Sequence, residues 1–423
     1  MAWTYDDAAG YLASLELFGM RFGLDRIRRL VSVLGMPQHR FASIHVVGTN
    51  GKSSVTEMTA ALLEAHGKRS GAYLSPHAER WSERIKVGGA EIDPGELAAA
   101  VERVSESAEV VNRTLDEGES VTQFEVVTAA AFVALASAGV EFAVIEAGLG
   151  GRLDATNVLP SLATVLTSVG LEHTEWLGAT EEKIAAEKLA VLRDHTTLVL
   201  GRVDAGVEAL ARTTAAARSS RLVIAHDPGG SPRLAIPAPY ARRDFAVAAA
   251  AAEAALGALD ASRVADVAQG LELAGRMERL GDDPPLILDA AHNPDGARAL
   301  AEALPEAAGE GPIVACLALL ADKDARGFVE ALAASVELLV CTELPAARLA
   351  GAGRPGARSL AASTLGELAD RAGMRAEVIA EPEAAVRRAL QAAAACGGVA
   401  LVSGSHYLLG YAWTERRAQS SSR

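Results

Sequence analysis

The stretch SIHVVGTNGKSS, Ser43–Ser54, decides how this chain folds. Ser43–Val47 is a short, β-branched apolar run. GTNGKSS (Gly48–Ser54) follows it directly and opens an Ala/Leu/Glu-rich segment, Ser53–Ala65, that reads as a helix. Strand, glycine turn and helix start form the arrangement that phosphate binding needs. The glycines let the backbone wrap an anion, and the helix-start N–H groups point at it. Lys52 would neutralise β- and γ-phosphates, and a following hydroxyl, Ser53 or Ser54, can reach Mg²⁺. The longer eight-residue form of the motif is not met, because its first glycine would fall on Val46. An ordinary strand–turn–helix corner is the bland alternative; the strand context, two glycines, lysine and hydroxyls together favour phosphate. What is done with the phosphate is not written in this loop.

Further short runs resemble the first: Phe142–Glu146, Ala163–Thr167, Leu222–Ala225, Leu286–Asp289, Ile313–Leu317, Glu337–Cys341 and Val399–Ser403. They are continuous rather than alternating, as strands buried on both faces should be. Segments such as Glu181–Leu192 between them read as helices, so the fold class is α/β with parallel sheets and helical crossovers. A polar turn cluster at Gly281–Pro285 (GDDPP) precedes a new strand. It splits the chain into an expected larger domain over 1–282 and a smaller α/β domain over 283–423. Asp227–Pro239 reads as a surface excursion.

A length of 423 residues calls for more than one core, and 50% apolar with 22% charged residues is globular composition. The net charge of −14 argues against nucleic acid or an anionic membrane as partner, while leaving room for anionic ligands held locally. Cys316, Cys341 and Cys396 have no metal-type spacing and read as reduced thiols. The opening MAWTYDDAAG is not a signal peptide, and no apolar run approaches the roughly 18 residues of a membrane span. A cytoplasmic protein is the expectation.

The form GTNGK resembles the Mur ligase superfamily, and other segments narrow the likeness. Ser75–Ile85 (SPHAERWSERI), Thr122–Glu125 (TQFE) and above all Glu146–Asn157 (EAGLGGRLDATN) are similar to the dihydrofolate synthase/folylpolyglutamate synthase family. Gly170–Trp176 (GLEHTEW), Lys183–Lys188 (KIAAEK), Gly275-Arg276, Asp289–Pro294 (DAAHNP), Asp322–Asp324 and Gly404-Ser405 follow in the family's order. The resemblance runs from about residue 17 to about 412. Any one piece is weak; this many in order is specific.

The resemblance implies a P-loop, Mur-ligase-type ATPase domain with folate-binding loops, joined to a smaller Rossmann-like domain that binds glutamate. It implies that ATP phosphorylates a carboxylate, which the amine of L-glutamate then attacks. The acceptor would be dihydropteroate, the γ-carboxylate of a folate, or both. Such chemistry asks for placement and charge neutralisation rather than covalent help. By resemblance the ATP site comprises Gly48, Thr49, Asn50, Gly51, Lys52, Ser53, Ser54, Arg276 and Asp289. Ser75 and Glu146 would hold a first Mg²⁺, and His173 a second, supported by Lys188 carrying a carbamate from CO₂. Lys52, Lys188, His173, Asp289 and His292 are the expected catalytic residues. Arg84, Phe124, Arg152, Asp154 and Ser405 are the expected substrate contacts. Family likeness alone adds a monovalent cation and a monomeric state. The Phe18–Arg26 segment is expected to help form the pterin pocket.

The chain departs from the family's pattern at four places. Ser53 stands where glycine is usual, Ala78 replaces the Leu of SPHL, and Leu189-Ala190-Val191 follows Lys188 where Ala-Gly-Ile is usual. Ala241–Asp244 (ARRD) lies where a Gln…Asn pair approaches the nucleotide. The rival readings are another Mur-type ligase acting on a cell-wall nucleotide, a P-loop phosphotransferase, and a non-catalytic ATP-binding relative.

Overall fold

In the computed structural model, which describes residues 2–15, 23–225, 233–309, 311–351 and 356–421, the apolar runs pair into two sheets. The first compact unit comprises Met1–His77, Trp81–Arg233 and Arg242–Gly270. Its strands are β1 (Ala42–Val47), β2 (Ser70–Tyr73), β3 (Ile85–Val87), β4 (Ala90–Glu91), β5 (Phe142–Glu146), β6 (Ala163–Leu166), β7 (Thr197–Leu200) and β8 (Arg221–Ile224). They stand in the order β4-β3-β2-β5-β1-β6-β7-β8. β1 is therefore central and runs parallel to β5 and β6, with Val46 opposite Glu146 and Val47 opposite Leu166. That register brings the C-terminal ends of three strands together, where an open α/β sheet binds its ligands.

One core of this unit gathers Tyr73, Ile85 and Ile145 from the sheet with Leu97, Val101, Val126 and Phe132 from helices Pro94–Asn112 and Gln123–Ser137. Another packs Val47, Leu166, Leu198 and Leu200 against helices Glu181–Leu189 and Ala205–Ala217. The helix Gln123–Ser137 starts in a capping box, with Thr122 N donating to Glu125 Oε2 at 2.8 Å and Glu125 N to Thr122 Oγ1 at 3.3 Å. The same Oε2 accepts from Arg26 Nε at 3.1 Å, and Gln123 Nε2 donates to Leu12 O at 2.7 Å. The TQFE segment thus anchors both N-terminal helices, Tyr5–Ser14 and Asp25–Val33. Of the expected pterin segment, residues 18–22 lie outside the described residues, as do 227–232 of the expected surface excursion.

The second unit comprises Leu271–Arg423 together with Ala78–Arg80 and Leu234–Ala241. Its strands are β9 (Glu278–Asp282), β10 (Pro285–Leu288), β11 (Ile313–Leu317), β12 (Leu338–Cys341), β13 (Arg375–Val378) and β14 (Val399–Ser403), ordered β13-β12-β11-β14-β10-β9. All neighbours are parallel except β9, which pairs antiparallel with β10. This hairpin moves the expected boundary. GDDPP is the turn inside it, so the unit begins at Leu271 and not after residue 282. Ala78–Arg80 belong here because Arg348 Nη2 donates to Ala78 O at 3.0 Å and Arg417 pairs with Glu79 at 3.1 Å. Among the described residues no helix is long and apolar enough to cross a membrane.

Glu125 both caps a helix and faces Arg26 with side chains 6% and 9% exposed. Glu125→Ala is therefore expected to lower the unfolding free energy by about 3 kcal/mol in urea denaturation, and Glu125→Gln by less. A loss under about 1 kcal/mol for the alanine variant would mean that this pair does not hold the N-terminal helices.

Candidate functional site

The phosphate loop leaves β1 at Gly48, where any Cβ would stand 1.9 Å from Thr167 Oγ1. The chain just after β6 clamps the loop. Thr49 N donates to Ser168 O at 2.9 Å, Asn50 N to Ser168 Oγ at 2.9 Å, and Thr167 Oγ1 to Asn50 O at 2.6 Å. Gly51, at φ 82°, caps the helix Lys52–Ala65, and a Cβ there would lie 2.7 Å from Asp244 Oδ1. The acidic end of the ARRD segment is thus beside the loop. Lys52 Nζ folds back to Thr49 O at 3.0 Å.

Glu146 ends β5 and is buried. Its Oε2 accepts from Ser53 Oγ at 2.9 Å and from Ser75 N at 3.1 Å. Ser53 is therefore the hydroxyl that joins the carboxylate, while Ser54 Oγ is buried without a hydrogen-bond partner among the described residues. Ser75 meets Glu146 through its backbone amide.

Lys188 is 4% exposed, and its Nζ donates to Gly48 O at 2.8 Å. Burial, then the charge of Lys52, pushes its pKa down to about 7, with Glu172 and Asp154 pulling the other way. The Gly148–Gly151 turn backs directly onto this lysine's helix: a Cβ at Gly151 would stand 2.8 Å from Glu187 O and from Lys188 O. Arg152 continues the contact, its N reaching Glu187 O at 3.0 Å and its Nε reaching Glu187 Oε1 at 2.9 Å. Gly148 would meet Phe124 Cζ at 2.5 Å if it carried a Cβ, so Phe124 packs against the same turn. His173 adopts φ 50° at the start of helix Thr174–Leu177, its Nε2 3.6 Å from Glu172 Oε1.

Asp154 is turned inward. Oδ2 accepts from Leu149 N at 2.8 Å; Oδ1 accepts from Thr156 N at 3.0 Å and Thr156 Oγ1 at 2.5 Å. Desolvation raises its pKa against these bonds. It braces the glycine turn from within, which differs from the expected acceptor contact. Arg84 is likewise enclosed, with Nε 2.8 Å from His77 Nδ1 and the guanidinium 4.9 Å from the Trp81 ring centroid.

In the second unit the expected residues gather at the ends of β10 and β14. Asp289 Oδ2 accepts from Tyr240 Oη at 2.6 Å and Met277 N at 3.1 Å, and Oδ1 from Ala291 N at 2.9 Å. Arg276 Nη1 donates to Gly275 O at 3.1 Å, and His292 Nδ1 lies 3.0 Å from Ala290 O. Gly404 N donates to Ala291 O at 2.9 Å, where a Cβ on Gly404 would strike Ala318 O at 2.5 Å. This seats buried Ser405 next to the Asp289–His292 turn.

Residues 46–227 match the Mur ligase middle domain, and residues 275–406 match the Mur ligase glutamate ligase domain. The dihydrofolate synthase/folylpolyglutamate synthase of Mycobacterium tuberculosis is 32% identical over 385 residues, covering 80% of this chain and 79% of that protein. The chain belongs to the dihydrofolate synthase/folylpolyglutamate synthase family. It is an ATP-dependent, amide-forming ligase. The Bacillus subtilis dihydrofolate synthase/folylpolyglutamate synthase is 30% identical over 361 residues, covering 78% of this chain and 83% of that one. The fold superposes on M. tuberculosis folylpolyglutamate synthase complexed with ADP and AMPPCP at a TM-score of 0.87 and 28% identity, over 97% and 99% of the two chains. E. coli FolC in complex with DHPP and ADP follows at 0.84 and 25% identity, with 99% of each chain covered.

For a member of this family the donor set fits a hard divalent cation. Glu146 and Ser53 offer oxygen, and among the described residues no group of three His, Cys, Asp or Glu forms a metal cage. An octahedral ion that keeps water and phosphate oxygens needs no such cage. Several residues that hold this arrangement carry no role in the sequence reading: Thr167 and Ser168 clamping the loop, Glu172 acting on Lys188, and Tyr240 holding Asp289. The first two follow a strand end just as the phosphate loop does, which is a usable signal. Tyr240 lies 49 positions from Asp289 and carried none.

An unfolded lysine keeps its proton up to about 10.5, whereas folded Lys188 gives it up near 7. Between those values the unfolded chain binds the extra proton, so stability should rise with pH. Compared with Lys188→Met in the absence of nucleotide and metal, the wild type should gain up to about 1.4 kcal/mol per pH unit from pH 7 to 9. Urea denaturation at matched pH reads the difference, and a flat difference would return Lys188 to an ordinary lysine.

Proposed function

We propose that this chain ligates L-glutamate to dihydropteroate and, in separate cycles, to the γ-carboxylate of tetrahydrofolate, using ATP and Mg²⁺. The observation that carries the reading is the Lys52–Ser53–Glu146–Lys188 constellation around Gly48, with the Gly148–Gly151 turn packed on its lysine. Lys52 and the helix-start amides bind the triphosphate, and Glu146 with Ser53 would hold Mg²⁺, which would offset phosphate charge. The acceptor carboxylate, held near the glycine turn with Arg152 and Phe124 as neighbours, attacks the γ-phosphorus and ADP leaves. The resulting acyl phosphate loses phosphate as the glutamate amine forms the amide. The region around Asp289, His292 and Ser405, inside the glutamate ligase domain match, supplies the amino-acid side.

Lys188 is proposed to carry a carbamate in the working enzyme. An amine with its pKa near 7 is substantially neutral at physiological pH, and only the neutral amine adds to CO₂. The N–C bond forms, a proton leaves to solvent, and a cation beside Lys52 becomes an anion able to support a second Mg²⁺ near His173. Lys188→Ala should lose turnover at every CO₂ concentration, while wild-type turnover should rise with CO₂. Unchanged turnover in the variant would remove the carbamate from the mechanism.

The deciding experiment follows ADP release with ATP, Mg²⁺ and L-glutamate, offering dihydropteroate and tetrahydrofolate separately, with mass spectrometry for one added glutamyl unit. Extension of both acceptors is expected. Extension of one alone would reduce the assignment to a single activity, and extension of neither by folded protein would replace folate with another Mur-ligase acceptor.

A further inference from the structure

His45 lies within β1, between Ile145 of β5 and Thr164 of β6, and is fully buried. Its Nε2 is 2.8 Å from Thr156 Oγ1, and its Nδ1 is buried without a hydrogen-bond partner. The Thr156 hydroxyl already donates to Asp154 Oδ1, so its remaining capacity toward the ring is as an acceptor. Asp154 in turn takes the amide of Leu149, at the start of the glycine turn. A leucine would fill the strand position without leaving a polar atom unmatched, so packing gives no reason for an imidazole. The ring stays neutral, because burial and then Arg193 hold its pKa down to about 3.

We propose that His45 is a positioning residue: as the Nε2–H tautomer it donates to Thr156, Thr156 donates to Asp154, and Asp154 thereby sets the Gly148–Leu149 turn. One ring then ties the strand that feeds the phosphate loop to the turn that packs on Lys188's helix. The functional half of this inference rests on reading that turn as the acceptor's seat.

The test uses the full chain and three variants: His45→Leu, His45→Gln and Thr156→Val. Nitrogen-15 NMR of the folded wild type without substrates should show a neutral ring protonated on Nε2. His45→Leu and Thr156→Val should each lower kcat at least about tenfold, with the KM for ATP within about twofold of wild type. Melting temperature should stay level or rise in His45→Leu. Adding Thr156→Val to His45→Leu should cost little more than either alone, because both break one chain. His45→Gln, which keeps an N–H donor, should recover most of the turnover. An Nδ1–H tautomer, full activity in His45→Leu, or losses that only track the folded fraction would overturn the proposal. The tautomer is read without turnover, so the wrong ring form fails this inference alone. A wild type that extends neither folate acceptor fails the functional reading instead.

Discussion

A lysine amine sealed from water against the first carbonyl of the phosphate loop is the constraint on which the N-terminal unit depends. Lys188 reaches Gly48 O only because its helix lies against the glycine turn, and Gly151 permits that approach where any side chain would collide with backbone oxygens. Burying a cation beside another cation is unfavourable, and the protein responds by loosening the amine's hold on its proton. The parts that surround it, from the strand ends to the Ser168 clamp, hold a loop whose charge balance is completed by ligands.

Two aspartates show a second principle. Asp154 in one unit and Asp289 in the other each receive two backbone amides and one hydroxyl, and each fixes the turn that follows a strand. Both look, in sequence, like groups awaiting a ligand. Their oxygens hold backbone in place, so their removal would displace the residues around them as well as any charge they present. Preorganisation of this kind is what a positioning-dominated reaction requires.

The central strands were legible because a parallel strand buried on both faces must be continuously apolar, as in Ser43–Val47 and Ile313–Leu317. Of the edge strands only β8 was, and the inner strand Thr197–Leu200 was not. Arg375–Val378 and Glu278–Asp282 alternate or turn polar, because one side of an edge meets solvent. Ser70–Tyr73 escaped notice through its small residues, although every position in it is buried. The missed hairpin at β9 also explains the displaced domain boundary: Gly281–Pro285 marks a turn correctly, but a turn within a sheet resembles a linker in sequence.

Sequence by itself determined the α/β class, the phosphate loop, and the ordered set of family segments, because each is written in contiguous residues whose local geometry follows from their types. Tertiary structure alone decided that Ser53 and not Ser54 meets Glu146, that Asp154 faces inward, and that Lys188 sits where its amine is half-neutral near pH 7. Those outcomes depend on burial and on partners from 93 to 140 positions away for Ser53 and Lys188, a separation at which no local pattern carries information.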